Sequence, residues 1–171
     1  PSLVGSEMCI RDRALVARVS WVFGNPERPS FPEMVLRKAL NGEPLSAVAD
    51  KWSMPAWVED LCGWLRFLAY ESDASGALHL CQSGEPVSWH GYAVTALKCA
   101  VKHGLLPSLP PVAEQKLDEQ AGFRDARPRH TAMSCERLAS LMKRPVRTYE
   151  EAIDLAVARY ASDPTFLSRI S

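Results

Sequence analysis

The run Arg18-Val19-Ser20-Trp21-Val22-Phe23-Gly24 is β-branched and aromatic, and it stops abruptly at Gly24-Asn25-Pro26. That pattern predicts a buried strand meeting a loop, because such side chains suit a pleated surface while Gly and Pro interrupt a ladder. Extended back to Ala14 the run stays nearly continuous in apolar character, with Arg18 and Ser20 as its polar members. Strands covered on both faces of a parallel sheet read this way. Open α/β sheets bind ligands just outside the carboxyl ends of their strands, which makes Trp21 and residues 23–30 the first place to look for function. A large aromatic there either fills the core or lines a ligand, and both uses are open at this point.

Beyond this strand the chain alternates between the helical and the extended period. Ser30-Phe31-Pro32-Glu33 carries a capping serine, a first-turn proline and a glutamate at the third position, ahead of a short helix stopped at Asn41-Gly42. Leu45 to Ala49 reads as a strand, and Asp50 to Pro55 as a loop. Trp57, Val58, Leu61, Cys62, Leu65, Leu68 and Ala69 form the stripe of an amphipathic helix over Ala56 to Tyr70. A strand over Ala77 to Cys81 comes next. The cleanest helical period belongs to Trp89, Tyr92, Ala93, Ala96, Leu97, Ala100 and Val101, closed by Gly104 as a left-handed cap. A proline-bearing connection, Leu105 to Pro128, holds one short strand near Val112. Ser134 caps a helix through Met142, and Thr148-Tyr149-Glu150-Glu151 opens a last helix with Ala152, Ile153, Ala156, Val157 and Tyr160 on one stripe. Strand and helix in alternation predict an α/β fold with a parallel sheet covered by helices.

The chain has 171 residues, 47% of them hydrophobic, which suits one domain with a core. Residues 14–161 are expected to form it. Residues 1–13 have neither period and read as a leader foreign to the fold, and residues 162–171 as a fraying tail. Twenty basic residues balance twenty acidic ones, so no overall field draws the chain to nucleic acid or to an anionic membrane. No window approaches the ~20 apolar residues of a membrane span. Cys9, Cys62, Cys81, Cys99 and Cys135 show no Cys-x-x-Cys spacing, and three fall on apolar helical faces. They read as reduced core thiols of a cytoplasmic protein. His79, His90, His103 and His130 lack ligand spacing, so no metal is expected. No Gly-x-Gly-x-x-Gly turn follows a strand and no Tyr-x-x-x-Lys pair exists, so neither a dinucleotide cradle nor a catalytic residue is assigned to this chain.

Four blocks, in order and spacing, resemble the dTDP-4-dehydrorhamnose reductases of the extended short-chain dehydrogenase/reductase superfamily. Arg18-Val19-Ser20-Trp21-Val22-Phe23-Gly24 is similar to their Arg-Thr-Ser-Trp-Val-Tyr-Gly segment. Ala49-Asp50-Lys51-Trp52-Ser53-Met54-Pro55-Ala56 resembles the Asp-Gln-x-Gly-x-Pro-Thr loop, and Gly76-Ala77-Leu78-His79-Leu80 with Ser83-Gly84-Glu85 and Ser88-Trp89-His90-Gly91-Tyr92-Ala93 the Gly-x-Tyr-His-Leu, Ser-Gly, Trp-x-x-Tyr block. Arg127-Pro128-Arg129-His130-Thr131-Ala132-Met133-Ser134 resembles Arg-Pro-x-Asn-Ser-x-Leu-Asp/Asn.

The resemblance covers the C-terminal half of that family's chain. It implies the C-terminal portion of a Rossmann-like parallel sheet plus the smaller substrate-binding subdomain. It further implies a nucleotide-sugar substrate, and NADPH or NADH as cofactor of the longer parent, which reduces a nucleotide-linked 4-keto sugar in dTDP-rhamnose biosynthesis. Carried over by residue, the substrate-contacting tryptophan corresponds to Trp21, and Arg127 and Arg129 stand where positive charge faces a diphosphate, unless they are solvated surface residues. Met54, Ala56 and His130 depart from the family pattern. A second use of a similar scaffold, as a non-catalytic regulatory subunit of methionine adenosyltransferase, is the alternative.

Overall fold

The computed structural model describes residues 14–25, 28–119 and 127–163, so the expected leader and all but the start of the tail lie outside the described residues. The expected first strand is two. β1 (Leu15–Val19) pairs in parallel with β6 (Gly76–Leu80), whereas β2 (Val22–Phe23) pairs in parallel with β5 (Ala56–Trp57). Between them Trp21 adopts a left-handed backbone, φ 46°, which turns the chain out of one ladder and into the other. The expectation of a strand covered on both faces is also corrected. Ala17, Arg18 and Val19 are exposed, because β6 is the one neighbour of β1 among the described residues.

Helix α1 (Phe31–Leu40) starts at the expected cap: the Glu33 carboxylate accepts the Ser30 backbone N–H at 2.9 Å. β3 (Leu45–Val48) pairs in parallel with β8 (Val112–Gln115), the short strand expected near Val112. The expected loop over residues 50–55 holds β4 (Trp52–Ser53), which lies between β7 (Val87–Ser88), antiparallel, and β9 (His130–Thr131), parallel. Short parallel ladders with helices over them make this a mixed α/β fold.

Helix α2 (Val58–Tyr70) begins two residues later than its periodicity suggests, since Ala56 and Trp57 belong to β5. Its buried face is Trp64 and Leu68; Cys62, Leu65 and Ala69, expected on the covered stripe, are exposed. Where α2 meets β5, the Arg147 guanidinium lies 5.6 Å over the Trp57 ring, and its Nη1 donates to both Asp60 carboxylate oxygens at 2.7 Å. Gln82, fully buried, accepts the Trp57 N–H and donates to Asp60.

Helix α3 (Trp89–Lys102) is the centre of the larger core, packing against α1, β3 and α5 (Tyr149–Ser162). The expected stripe is buried at Tyr92, Ala93, Ala96, Leu97 and Ala100. It ends in a Schellman turn, with Leu105 N–H on Ala100 O at 2.8 Å, Gly104 N–H on Val101 O at 3.1 Å and Gly104 at φ 75°. A second core joins Trp64 and Leu68 to Leu78, Leu80, Val146 and Leu138, the last from α4 (Glu136–Met142).

The cysteines separate by environment. Cys81 and Cys99 are buried, and burial pushes their thiols up to about 12 and about 11 respectively. Cys135 is half-buried, Cys62 is exposed, and Cys9 lies outside the described residues. Reading Cys62 as a core thiol is therefore corrected. Iodoacetamide at pH 8, followed by peptide mapping, is expected to modify Cys62 under native conditions and to spare Cys81 and Cys99 until denaturant is added, because the thiolate is the reactive form.

Candidate functional site

The break that bends the chain at Trp21 also aims its indole. A left-handed backbone at a bulky residue costs about 1 to 3 kcal/mol and survives only where neighbours over-determine it. Here the Trp21 carbonyl accepts the Ala56 N–H at 3.3 Å, and the preceding Ser20 hydroxyl is 2.9 Å from that of Ser53. Ser88 caps α3 by accepting the Gly91 N–H at 3.0 Å, and it sets Trp89 and Tyr92, three residues apart, on one face. The result is an aromatic cluster. Trp21 lies 5.9 Å from Tyr92, nearly parallel, and 5.6 Å from Trp89. Phe31, the first residue of α1, stacks on both, at 5.4 Å from Trp89 and 5.7 Å from Tyr92. With Ser30 and Pro32 these rings line a hollow of about 190 Å³.

Beneath the rings lies a polar knot. The fully buried Glu33 carboxylate takes four hydrogen bonds: from Gly24 N–H at 3.0 Å and Tyr160 O–H at 2.5 Å on Oε1, and from Ser30 N–H at 2.9 Å and Ser30 O–H at 2.5 Å on Oε2. Burial pushes the Tyr92 phenol well above its ordinary value, and the Glu33 charge adds to this. Tyr160 is raised in the same way, by burial first and Glu33 second. Among the described residues Tyr92 Oη is the buried side-chain atom without a hydrogen-bond partner.

The two arginines carried over from sequence occupy different situations. Arg129 reaches Asp50 with Nη1 and Asp118 with Nη2, the latter at 2.8 Å, and Asp50 also accepts the Leu117 N–H at 2.8 Å. Arg127 is exposed beside Lys51. Lys51 is buried and donates to Pro128 O at 2.5 Å; desolvation, then the Arg127 charge, lowers its ammonium below the usual lysine range. Trp52 stacks on His130 at 4.6 Å. Strand β4 links this basic segment to the aromatic one, since Ser53, bonded to Ser20, donates to Thr131 O at 3.1 Å. Sequence reasoning singles out Trp21 but gives Phe31, Trp89 and Tyr92 no more than a place in a helix, and Lys51 no more than a place in a loop. The Ser88-Trp89-His90-Gly91-Tyr92 block is the signal that could have found two of them.

Among the described glycines, Gly24 stands between a strand and the helix that follows it. The space over its α-carbon is taken by the Trp57 indole, whose Cδ1 would lie 2.5 Å from an added Cβ. A pyrophosphate has no room there, so these residues do not fit a dinucleotide cradle. Among the described residues no group of His, Cys, Asp and Glu is placed to hold a metal ion, and no helix is long and apolar enough to cross a membrane.

The profile of the RmlD substrate binding domain family matches residues 2–162. No curated protein sequence matches the chain. Among solved structures, the fold is similar to dTDP-4-dehydrorhamnose reductase from Bacillus anthracis in complex with NADP, at 22% identity and TM-score 0.70 over 85% of this chain and 48% of that one. The Yersinia enterocolitica dTDP-4-dehydrorhamnose reductase matches at 16% identity and TM-score 0.71 over 84% of this chain and 48% of that one. Bordetella bronchiseptica WbmG, in complex with NAD and UDP, matches at 14% identity and TM-score 0.64 over 96% and 49%. The chain thus spans about half the length of these structures, and the likeness shows their Rossmann-like α/β fold. The family resemblance of the four sequence blocks is borne out, and the chain belongs to the RmlD substrate binding domain family.

Proposed function

We propose that this chain is the substrate-binding part of a nucleotide-sugar reductase, with the aromatic hollow around Trp21 as the wall on which the nucleotide-sugar packs. The observation that carries this reading is the left-handed Trp21 itself: a strained, half-buried tryptophan that packs against the larger core and lines an open hollow. Arg127 supplies positive charge toward a diphosphate. Arg129, held by Asp50 and Asp118, fixes the segment that carries both into β9. NAD(P)H is the cofactor expected of the longer protein, where it would supply the hydride that reduces a 4-keto sugar. The B. anthracis reductase in complex with NADP and WbmG in complex with NAD and UDP support a dinucleotide cofactor and a nucleotide ligand for the longer protein.

Calorimetric titration with dTDP tests the reading through Trp21→Ala. The expected loss in binding is about 1 to 3 kcal/mol for a large aromatic contact, with a melting temperature close to that of the parent chain. A core tryptophan behaves in the opposite way, losing roughly 3 to 5 kcal/mol of stability while the folded fraction binds as before. That second result would return Trp21 to the core and remove the reading's support.

A further inference from the structure

We propose that Glu33 is the positioning residue of the aromatic hollow, fixing the wall that carries Phe31 against the wall that carries Trp21. Its carboxylate grips the backbone on both sides at once. Oε1 holds Gly24, the residue after the strand that Trp21 introduces, and Oε2 holds Ser30, the residue before Phe31.

Helix capping alone does not account for this. A capping box asks a glutamate at the third position to reach the cap N–H, which is the Ser30 bond. It asks nothing of Gly24, nine positions earlier, or of Tyr160 in α5, and it does not require the glutamate to be buried. Glu33 is 0% exposed, and all four of its donors are uncharged. Burying a carboxylate is expensive unless several hydrogen bonds compensate it, so the arrangement persists because every acceptor site is used.

The pairing is symmetrical in a way that makes it testable. Each oxygen takes one backbone N–H and one hydroxyl. In Glu33→Gln one oxygen becomes an NH2 donor. The hydroxyl on that side rotates to accept, but the backbone N–H cannot, so either Gly24 or Ser30 loses its partner whichever way the amide settles. Tyr160→Phe removes a hydroxyl and leaves both backbone amides held.

The experiment is residue-resolved hydrogen exchange on the ligand-free 171-residue chain, followed by dTDP titration of the same variants. In Glu33→Gln the Gly24 or the Ser30 amide is expected to exchange roughly tenfold faster, as for one lost hydrogen bond, while amides within α5 keep their rates. Tyr160→Phe should leave the Gly24 and Ser30 amides unchanged. Glu33→Asp, which keeps the charge but shortens the reach, should give a smaller change at the same two amides, and it serves if the Gln variant does not fold. Uniform acceleration over the whole chain, or the same release in Tyr160→Phe, would overturn the proposal. The exchange result stands apart from the nucleotide-sugar reading, on which only the titration rests. If the parent chain binds dTDP, Glu33→Gln should bind it about tenfold more weakly, the equivalent of one lost hydrogen bond. If the parent chain does not bind it, that reading falls, and Glu33 is judged on exchange alone.

Discussion

Gly24→Ala is expected to destabilise the chain by roughly 3 to 5 kcal/mol in a denaturant titration, from two separate causes. One is conformational: Gly24 sits at φ 97°, where an L side chain is strained. The other is steric. An added Cβ would meet the Trp57 indole at 2.5 Å from Cδ1 and 2.6 Å from Nε1, well inside contact distance, and that ring is itself enclosed. The ring is buried, with Arg147 lying over it and its Cδ1–Nε1 edge against Gly24, so it has little room to yield.

Trp57→Ala is expected to cost about as much, roughly 3 to 5 kcal/mol, as large-to-small core replacements of this ring size do. It removes a ring that is 7% exposed, and it strips Arg147 of the surface under its guanidinium. The informative measurement is the double variant. Removing the indole makes room for the methyl group introduced at position 24, so the two losses should fall short of additivity by the steric share, leaving only the backbone strain at that position. Full additivity would mean that the ring and the glycine do not constrain each other, contrary to the geometry.

The features legible in the sequence were those whose cause is local. Ser30 with Glu33, Thr148 with Glu151 and the Gly104 cap each announce themselves within a few residues, and the structure places all three as expected. The α3 stripe was legible because its period persists over three turns. Failures came where a distant partner decides. Ala56 and Trp57 satisfy a helical stripe, yet pairing with Val22 and Phe23 makes them strand. The apolar period of α2 is real, but only Trp64 and Leu68 find deep cover, so periodicity overstated burial at Cys62 and Leu65. Nothing around Trp21 signals a left-handed backbone, because an aromatic is driven there by tertiary contacts against its own preference. The situation of Arg129 is equally invisible, since it is set by Asp50, far earlier in the chain, as well as by Asp118. The candidate site was therefore half readable. Trp21, singled out from its strand, lines the aromatic hollow, while Phe31 and Tyr92 look like ordinary core residues until three segments meet.

The parallel ladders carry a kinetic consequence. Leu15 pairs with Gly76, Leu45 with Val112 and Val22 with Ala56, and none of these partners is joined by a hairpin. Each ladder must close a long stretch of chain before its first bond forms, and the entropy of that closure comes due ahead of any reward. The capped helices can form early on local information, but the bend at Trp21 cannot be set until β5 has arrived beside β2. The hollow is thus among the last features of the molecule to take shape on folding, and among the first to lose definition when the ladders open.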